Sequence, residues 1–333
     1  MPILFDKFLC DECHGALDLW GRCTECGVID EDAAKEVEED KTTEQIGNAV
    51  PLETAKKAKH IINLSGGACS FWAAERVAQK YGTQDLVLLF ADVLIEDKDL
   101  YELNEWTAEY FGVPITRISR ELTPWQLFRQ EGLIANNRLP ICSVKLKREP
   151  LDEWHLAHCT PKNSLFGEPD TIYVGLDWTE INRLTDLRNA LPQWQIEAPM
   201  AEWQPLWDKC KMLTELQILT GRPLPKAYID GFPHNNCGRR CVRAGITHWV
   251  HLYKTDPDQF LEWEVEEKVT QKEFAERGIS NSHFTVLRDR RGGSVLPMTF
   301  AQLRERILAG DPTLPKNDWG GCGCGVEIEV RTI

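Results

Sequence analysis

Lys59–Gly82, KHIINLSGGACSFWAAERVAQKYG, decides the fold. A short apolar run (Ile61, Ile62, Leu64) ends in Ser65-Gly66-Gly67-Ala68-Cys69-Ser70, and a helical pattern with Phe71, Ala74, Val77 and Ala78 follows at once. Strand, glycine turn and helix N-terminus in that order make an anion site. Glycines let the backbone come close, free N–H groups point outward, and the helix dipole favours negative charge. Phosphate is the natural occupant. The turn is not a Walker loop, because no Lys follows the second Gly. The bland alternative is an ordinary glycine turn between a strand and a helix.

Working outward, Asp85–Asp92 (DLVLLFAD) is a second buried-strand run, followed by a helical stretch at Asp99–Phe111 and a short strand at Pro114–Ile118. Strands alternating with helices at this spacing predict an α/β, Rossmann-like parallel sheet with helices on both faces. Asp92 then sits at a strand's carboxyl end, facing the same crevice as the glycine turn, or else caps a helix. Asn136–Leu151 (NNRLPICSVKLKREPL) carries Arg138, Lys145, Lys147 and Arg148, which read as anion-binding cations or as a solvated helix face. Thr171–Trp178 reads as a further core strand, with Glu180 and Arg183 just beyond it at the mouth of the crevice.

These stretches resemble the PP-loop proteins of the adenine-nucleotide α-hydrolase superfamily, and within it the phosphoadenosine phosphosulfate (PAPS) reductase-like family. The turn at Ser65–Ser70 is similar to the family's SGGxDS pyrophosphate loop, with Cys69 at the usual Asp position. Phe90-Ala91-Asp92 looks like the strand ending in Phe-x-Asp-Thr. Cys142 with the basic residues and Pro150-Leu151 looks like the family's Cys–basic–Pro-Leu segment, and Gly175–Arg183 like Gly-x-Asp-x-x-Glu-x-x-Arg. The resemblance covers about residues 55–185 and extends more loosely through 231–325, where it matches reductase-like proteins met in phage and bacterial genomes.

The resemblance implies a HUP-type nucleotide-binding domain over 53–230. ATP or PAPS, with Mg²⁺, would be held by Ser65, Gly66, Gly67, Ala68, Cys69, Ser70, Asp92, Arg138, Lys145, Lys147, Asp177 and Arg183. In ATP-cleaving members the Asp that Cys69 replaces helps to hold magnesium.

The chain has 333 residues and a formal net charge of −14, which disfavours indiscriminate nucleic-acid binding. No apolar run approaches a membrane span, and MPILFDKFLCDEC lacks a signal peptide's basic start and cleavage site, so a cytoplasmic protein without a membrane partner is expected. Eight of the twelve cysteines fall in close pairs, which in a cytosolic protein suggests metal ligands or redox groups. Cys10-x-x-Cys13, nine residues, then Cys23-x-x-Cys26 predicts a zinc ribbon over 1–29, in which two turns aim four thiolates at one Zn²⁺. So short a module cannot bury a useful core, so the metal would supply its folding free energy. An acidic linker over 30–52 follows, with eight carboxylates between Asp30 and Glu44.

The region 231–333 is expected to be mainly helical and rich in cysteine, with helix across 246–277 and a hairpin between Phe284 and Met298. Cys237 and Cys241, with Cys142 and one of Cys322 or Cys324, would satisfy a second zinc or an iron–sulfur cluster. The superfamily resemblance, some of whose members hold a four-iron–four-sulfur (4Fe–4S) cluster beside the nucleotide, is what brings in Cys142. Cys159, Cys210 and the histidines 60, 155, 158, 248 and 251 are assigned no role, and His234 is a weak candidate.

Three functions follow. The first is ATP-dependent adenylation coupled to sulfur transfer onto tRNA, DNA or a small molecule. The second is thiol-dependent reduction of PAPS to sulfite, for which Gly321-Cys322-Gly323-Cys324 resembles the reductase tail only loosely. The third is a non-catalytic nucleotide-binding or assembly protein, with a protein partner or as a homodimer. Cys322, Cys324 and Glu180 are the catalytic candidates.

Overall fold

The computed structural model describes residues 58–165, 167–280, 284–289 and 295–320. The chain divides between Thr54 and Ala55, and every described residue belongs to the second unit. The expected zinc ribbon and acidic linker lie outside the described residues.

The first half alternates strand and helix: β1 (His60–Leu64), α1 (Ala68–Tyr81), β2 (Leu86–Asp92), α2 (Lys98–Phe111), β3 (Ile115–Ser119) and α3 (Pro124–Glu131). A π-helical turn at Val144–Arg148 leads into α4 (Glu149–His158), then β4 (Thr171–Val174), α5 (Ile181–Ala190), β5 (Gln195–Glu197) and α6 (Lys209–Thr220). The five strands form one sheet in the order β3-β2-β1-β4-β5, and every pairing is parallel. Ile61, Ile62, Leu88 and Leu89 are fully buried, so β1 and β2 read as continuous apolar runs and not as alternating ones. The order reverses at β1, which pairs with β2 on one side and β4 on the other. In open parallel sheets such a reversal opens a crevice at the strands' carboxyl ends.

Local chemistry sets the helix ends. The α2 helix stops where Gly112 takes the left-handed conformation (φ 65°) and its N–H returns to the Ala108 and Glu109 carbonyls. The α3 helix starts with a capping box between Thr123 and Gln126 and with Pro124 in its first turn.

The second half holds α7 (Ile246–Thr255), α8 (Pro257–Glu276), the antiparallel pair β6 (Leu287–Asp289) and β7 (Leu296–Met298), and α9 (Phe300–Leu308). The helix expected across 246–277 is thus two, broken at Asp256-Pro257, where the proline starts α8 and Asp256 accepts from the Gln259 N–H at 3.3 Å. Residue 230 marks no boundary in packing. Trp249, Phe260, Trp263, Phe274 and Phe300 share one core with Trp125 and Phe128 of α3. At about 1.5–3 kcal/mol per fully buried large side chain, that joint core ties the C-terminal helices firmly to the sheet unit. No described helix is long and apolar enough to cross a membrane.

Candidate nucleotide site

The glycine turn lies where the strand order reverses. Gly66 has φ +72°, and a Cβ there would meet the Leu100 side chain at 2.4 Å, so only glycine fits. Gly67 precedes α1 without a side-chain cap, leaving the first-turn N–H groups to other acceptors. Ser70 braces the turn from inside: its hydroxyl donates to the Gly67 carbonyl at 2.9 Å and accepts from the Ser65 N–H at 3.1 Å. Two distant residues complete it. The Ala68 N–H donates to the Tyr228 hydroxyl at 3.1 Å, and Asn235 Nδ2 donates to the Gly66 carbonyl at 2.9 Å. From below, Gly175 at the end of β4 lies so close that a Cβ on it would be 2.6 Å from Ser70 N and Cα.

This turn opens onto a cavity of about 560 Å³. That is within the range of roughly 300–1,000 Å³ that small-molecule and cofactor sites occupy. Ser65, Gly67, Cys69 and Lys209 line it together with apolar side chains of β4, α5 and β5, such as Ile172, Leu187 and Ile196. Cys69 is a buried thiol pushed up to about 12, by burial first. It stays a neutral group beside the turn.

The expected site residues divide. Lys147, Asp177, Glu180 and Arg183 line the cavity, as does Arg148. Asp177 caps the turn at Trp178–Glu180, accepting from the Thr179 N–H at 2.9 Å, and Glu180 is ion-paired with Arg183. Asp92 is used elsewhere: Arg117 Nε and the Tyr101 hydroxyl each donate to it at 2.8 Å, and it is 2% exposed. Lys145 turns away to pair with Glu131 at 2.8 Å, and Arg138 is exposed and does not line the cavity.

His155, assigned no role from sequence, borders the cavity with its Nε2 3.2 Å from Asn63 Oδ1. Burial lowers its pKa to about 4, so the ring is neutral. His234 also lines the cavity. Lys209, Tyr228 and Asn235 were missed altogether; the HNNC stretch at His234–Cys237 was the one available signal for Asn235.

No family model matches the chain, and no curated protein sequence does.

Next to this cavity, Cys142, Cys237 and Cys241 border a second, much smaller one of about 20 Å³. Lys147 lines both; its Nζ lies 3.2 Å from Glu96 Oε1 and 3.5 Å from Cys237 Sγ. Glu96 is buried and also accepts from the Gly238 N–H at 3.2 Å. Cys237, Gly238 and Arg239 are all left-handed (φ 51°, 51° and 60°), a costly run held by buried ion pairs. Arg239, 2% exposed, meets Asp97, Asp230 and Asp256 at 2.8–3.1 Å. Burial pushes the Cys142 thiol up to about 12. Among the described residues no group of three His, Cys, Asp or Glu side chains stands close enough to hold a metal ion. Cys10, Cys13, Cys23, Cys26, Cys322 and Cys324 lie outside the described residues.

Proposed function

We propose that the protein is an adenine-nucleotide-binding enzyme of the PP-loop, PAPS reductase-like type, which adenylates an acceptor with ATP and Mg²⁺ and then transfers sulfur to it. The carrying observation is the braced glycine turn at the reversal of a parallel sheet, facing a nucleotide-sized cavity with one polar and one apolar lining. The turn's N–H groups and the flanking cations suit a polyphosphate, and the apolar wall of β4, α5 and β5 suits a purine. An acceptor oxygen attacks the α-phosphorus, the α–β bridging P–O bond breaks, and pyrophosphate leaves with its electron pair. A sulfur nucleophile then displaces AMP from the activated carbon.

Zinc at Cys10, Cys13, Cys23 and Cys26 belongs to the same reading. So does a second metal or a 4Fe–4S cluster at Cys142, Cys237 and Cys241 with Cys322 or Cys324. The three described thiols border one cavity and are soft donors, but as they stand they are not close enough together to hold a metal ion.

The test is conversion of α-labelled ATP to AMP and pyrophosphate with magnesium, run beside sulfite release from PAPS. AMP formation that is lost in Gly66→Val supports adenylation. Sulfite without AMP formation replaces it with PAPS reduction. Tight nucleotide binding with neither product replaces it with an assembly role, and no nucleotide binding at all removes it.

A further inference from the structure

Four cationic side chains line the main cavity: Lys147, Arg148, Arg183 and Lys209. Lys147 is paired with Glu96, and Arg183 with Glu180. Lys209 lines the same cavity beside Gly67 and Cys69, is half-buried, and pairs with no carboxylate among the described residues. Its one described polar contact is with a ring: Nζ lies 4.9 Å above Tyr228, the residue whose hydroxyl accepts from the Ala68 N–H of the glycine turn.

The position of Lys209 is unfavourable for the protein alone. It is the first residue of α6, directly after the N-cap Asp208, whose carboxylate is occupied by the Lys211 N–H at 2.7 Å. A cation at a helix N-terminus opposes the helix dipole. Partial burial takes water from it without returning a counter-ion. The nearby thiol gives no compensation, since Cys69 is neutral. An anion entering the cavity would supply the missing counter-ion.

We infer that Lys209 is a phosphate-binding cation of this site, reaching across from α6 to hold the β- and γ-phosphates of a nucleoside triphosphate against the glycine turn. The inference rests on the nucleotide-binding reading above and adds a residue and a ligand class to it. The ammonium meets part of the triphosphate's charge from the α6 side of the cavity. Binding then falls from triphosphate to monophosphate in step with the number of phosphates Lys209 can reach, and adenosine gains nothing from it.

The experiment is calorimetric titration of the full chain with ATP, AMP and adenosine for the wild type, Lys209→Ala and Lys209→Arg, with thermal melts of the same three proteins without ligand. Expected are a loss of tenfold or more in ATP affinity in Lys209→Ala, little change for adenosine, and substantial recovery in Lys209→Arg. The ligand-free Lys209→Ala melts no lower than the wild type, because a lysine kept for stability would leave a deficit. Equal ATP affinity in the wild type and Lys209→Ala overturns the inference and leaves nucleotide binding intact. An equal loss for ATP and adenosine, or a lowered ligand-free melting temperature, also overturns it, in favour of a structural lysine. A wild type that binds none of the three ligands removes the nucleotide-binding reading itself.

Discussion

Replacing Gly175 by alanine tests how closely the end of β4 approaches the glycine turn. The added Cβ would lie 2.6 Å from Ser70 N and Cα and 2.8 Å from its Cβ. Comfortable carbon contacts are about 3.5–4.0 Å, so roughly 1 Å of overlap must be relieved. The obstructing atoms are mostly backbone in the first turn of α1, and no flexible side-chain end can give way. Overpacking costs typically about 1–3 kcal/mol, and a backbone obstacle puts this site at the upper end, about 3 kcal/mol. With a urea m-value of about 3 kcal/mol/M, the unfolding midpoint falls by about 1 M.

The control is Gly112→Ala, where φ is +65° and nothing lies within 4 Å of the new Cβ. Left-handed strain alone costs about 1–2 kcal/mol there. Tryptophan fluorescence in urea reads both, and ATP titration reads the site. Gly175→Ala should lose stability and ATP affinity together, because relief of the overlap displaces Ser70 and the turn it braces. A Gly175→Ala protein as stable as Gly112→Ala, with unchanged ATP affinity, would refute the close approach.

Burial holds His155 and His248 at about 4 against an ordinary 6.5. Their contribution is present above pH 6.5 and is lost as pH falls toward 4, at about 3 kcal/mol each given about 1.4 kcal/mol per pH unit. Urea titrations across that window should show the fall, and a His248→Gln protein should show a shallower one. Glu267 acts in the opposite sense: burial raises it to about 7, although it accepts from the Val286 and Phe300 N–H groups. The folded state keeps a proton that the unfolded state sheds, so this group's contribution declines as pH rises from about 4.5 to 7, and Glu267→Gln should abolish that decline. Arg239→Met leaves three carboxylates facing one another without their shared cation, and should cost about 3–5 kcal/mol in the same denaturation assay. Anaerobic purification followed by iron, sulfide and zinc analysis should return metal that Cys237→Ala and Cys241→Ala reduce together; unchanged metal in both would remove those thiols from any ligand set.

The parts of this fold that sequence reveals are those whose cause is local. The β1–turn–α1 unit is legible because its apolar run, its glycines and its helical period are adjacent in the chain. The strand β5 was not read, since three residues with one buried apolar side chain, Ile196, carry no period. The cations between Arg138 and Arg148 look alike in sequence, yet only Lys147 and Arg148 face the cavity. Lys145 finds Glu131 instead, a partner set by how the π-helical turn sits on α3. Asp92 reads from sequence as a crevice residue or a helix cap, because its partner, Arg117, is opposite Phe90 only in the β2–β3 register. Tyr228 and Asn235 act on the turn from 160 and 169 residues away, and no spacing rule reaches that far.

That separation has a consequence for a chain made from its N-terminus. The first four strands, β1–β4, are complete by Val174, but the hydroxyl and the amide that finish the glycine turn are translated only with Tyr228 and Asn235. Domains fold as units during synthesis, and contacts between distant residues are the last to close. The nascent sheet therefore spends part of its synthesis with the turn unbraced, and the turn reaches its finished form only after Asn235 has been made.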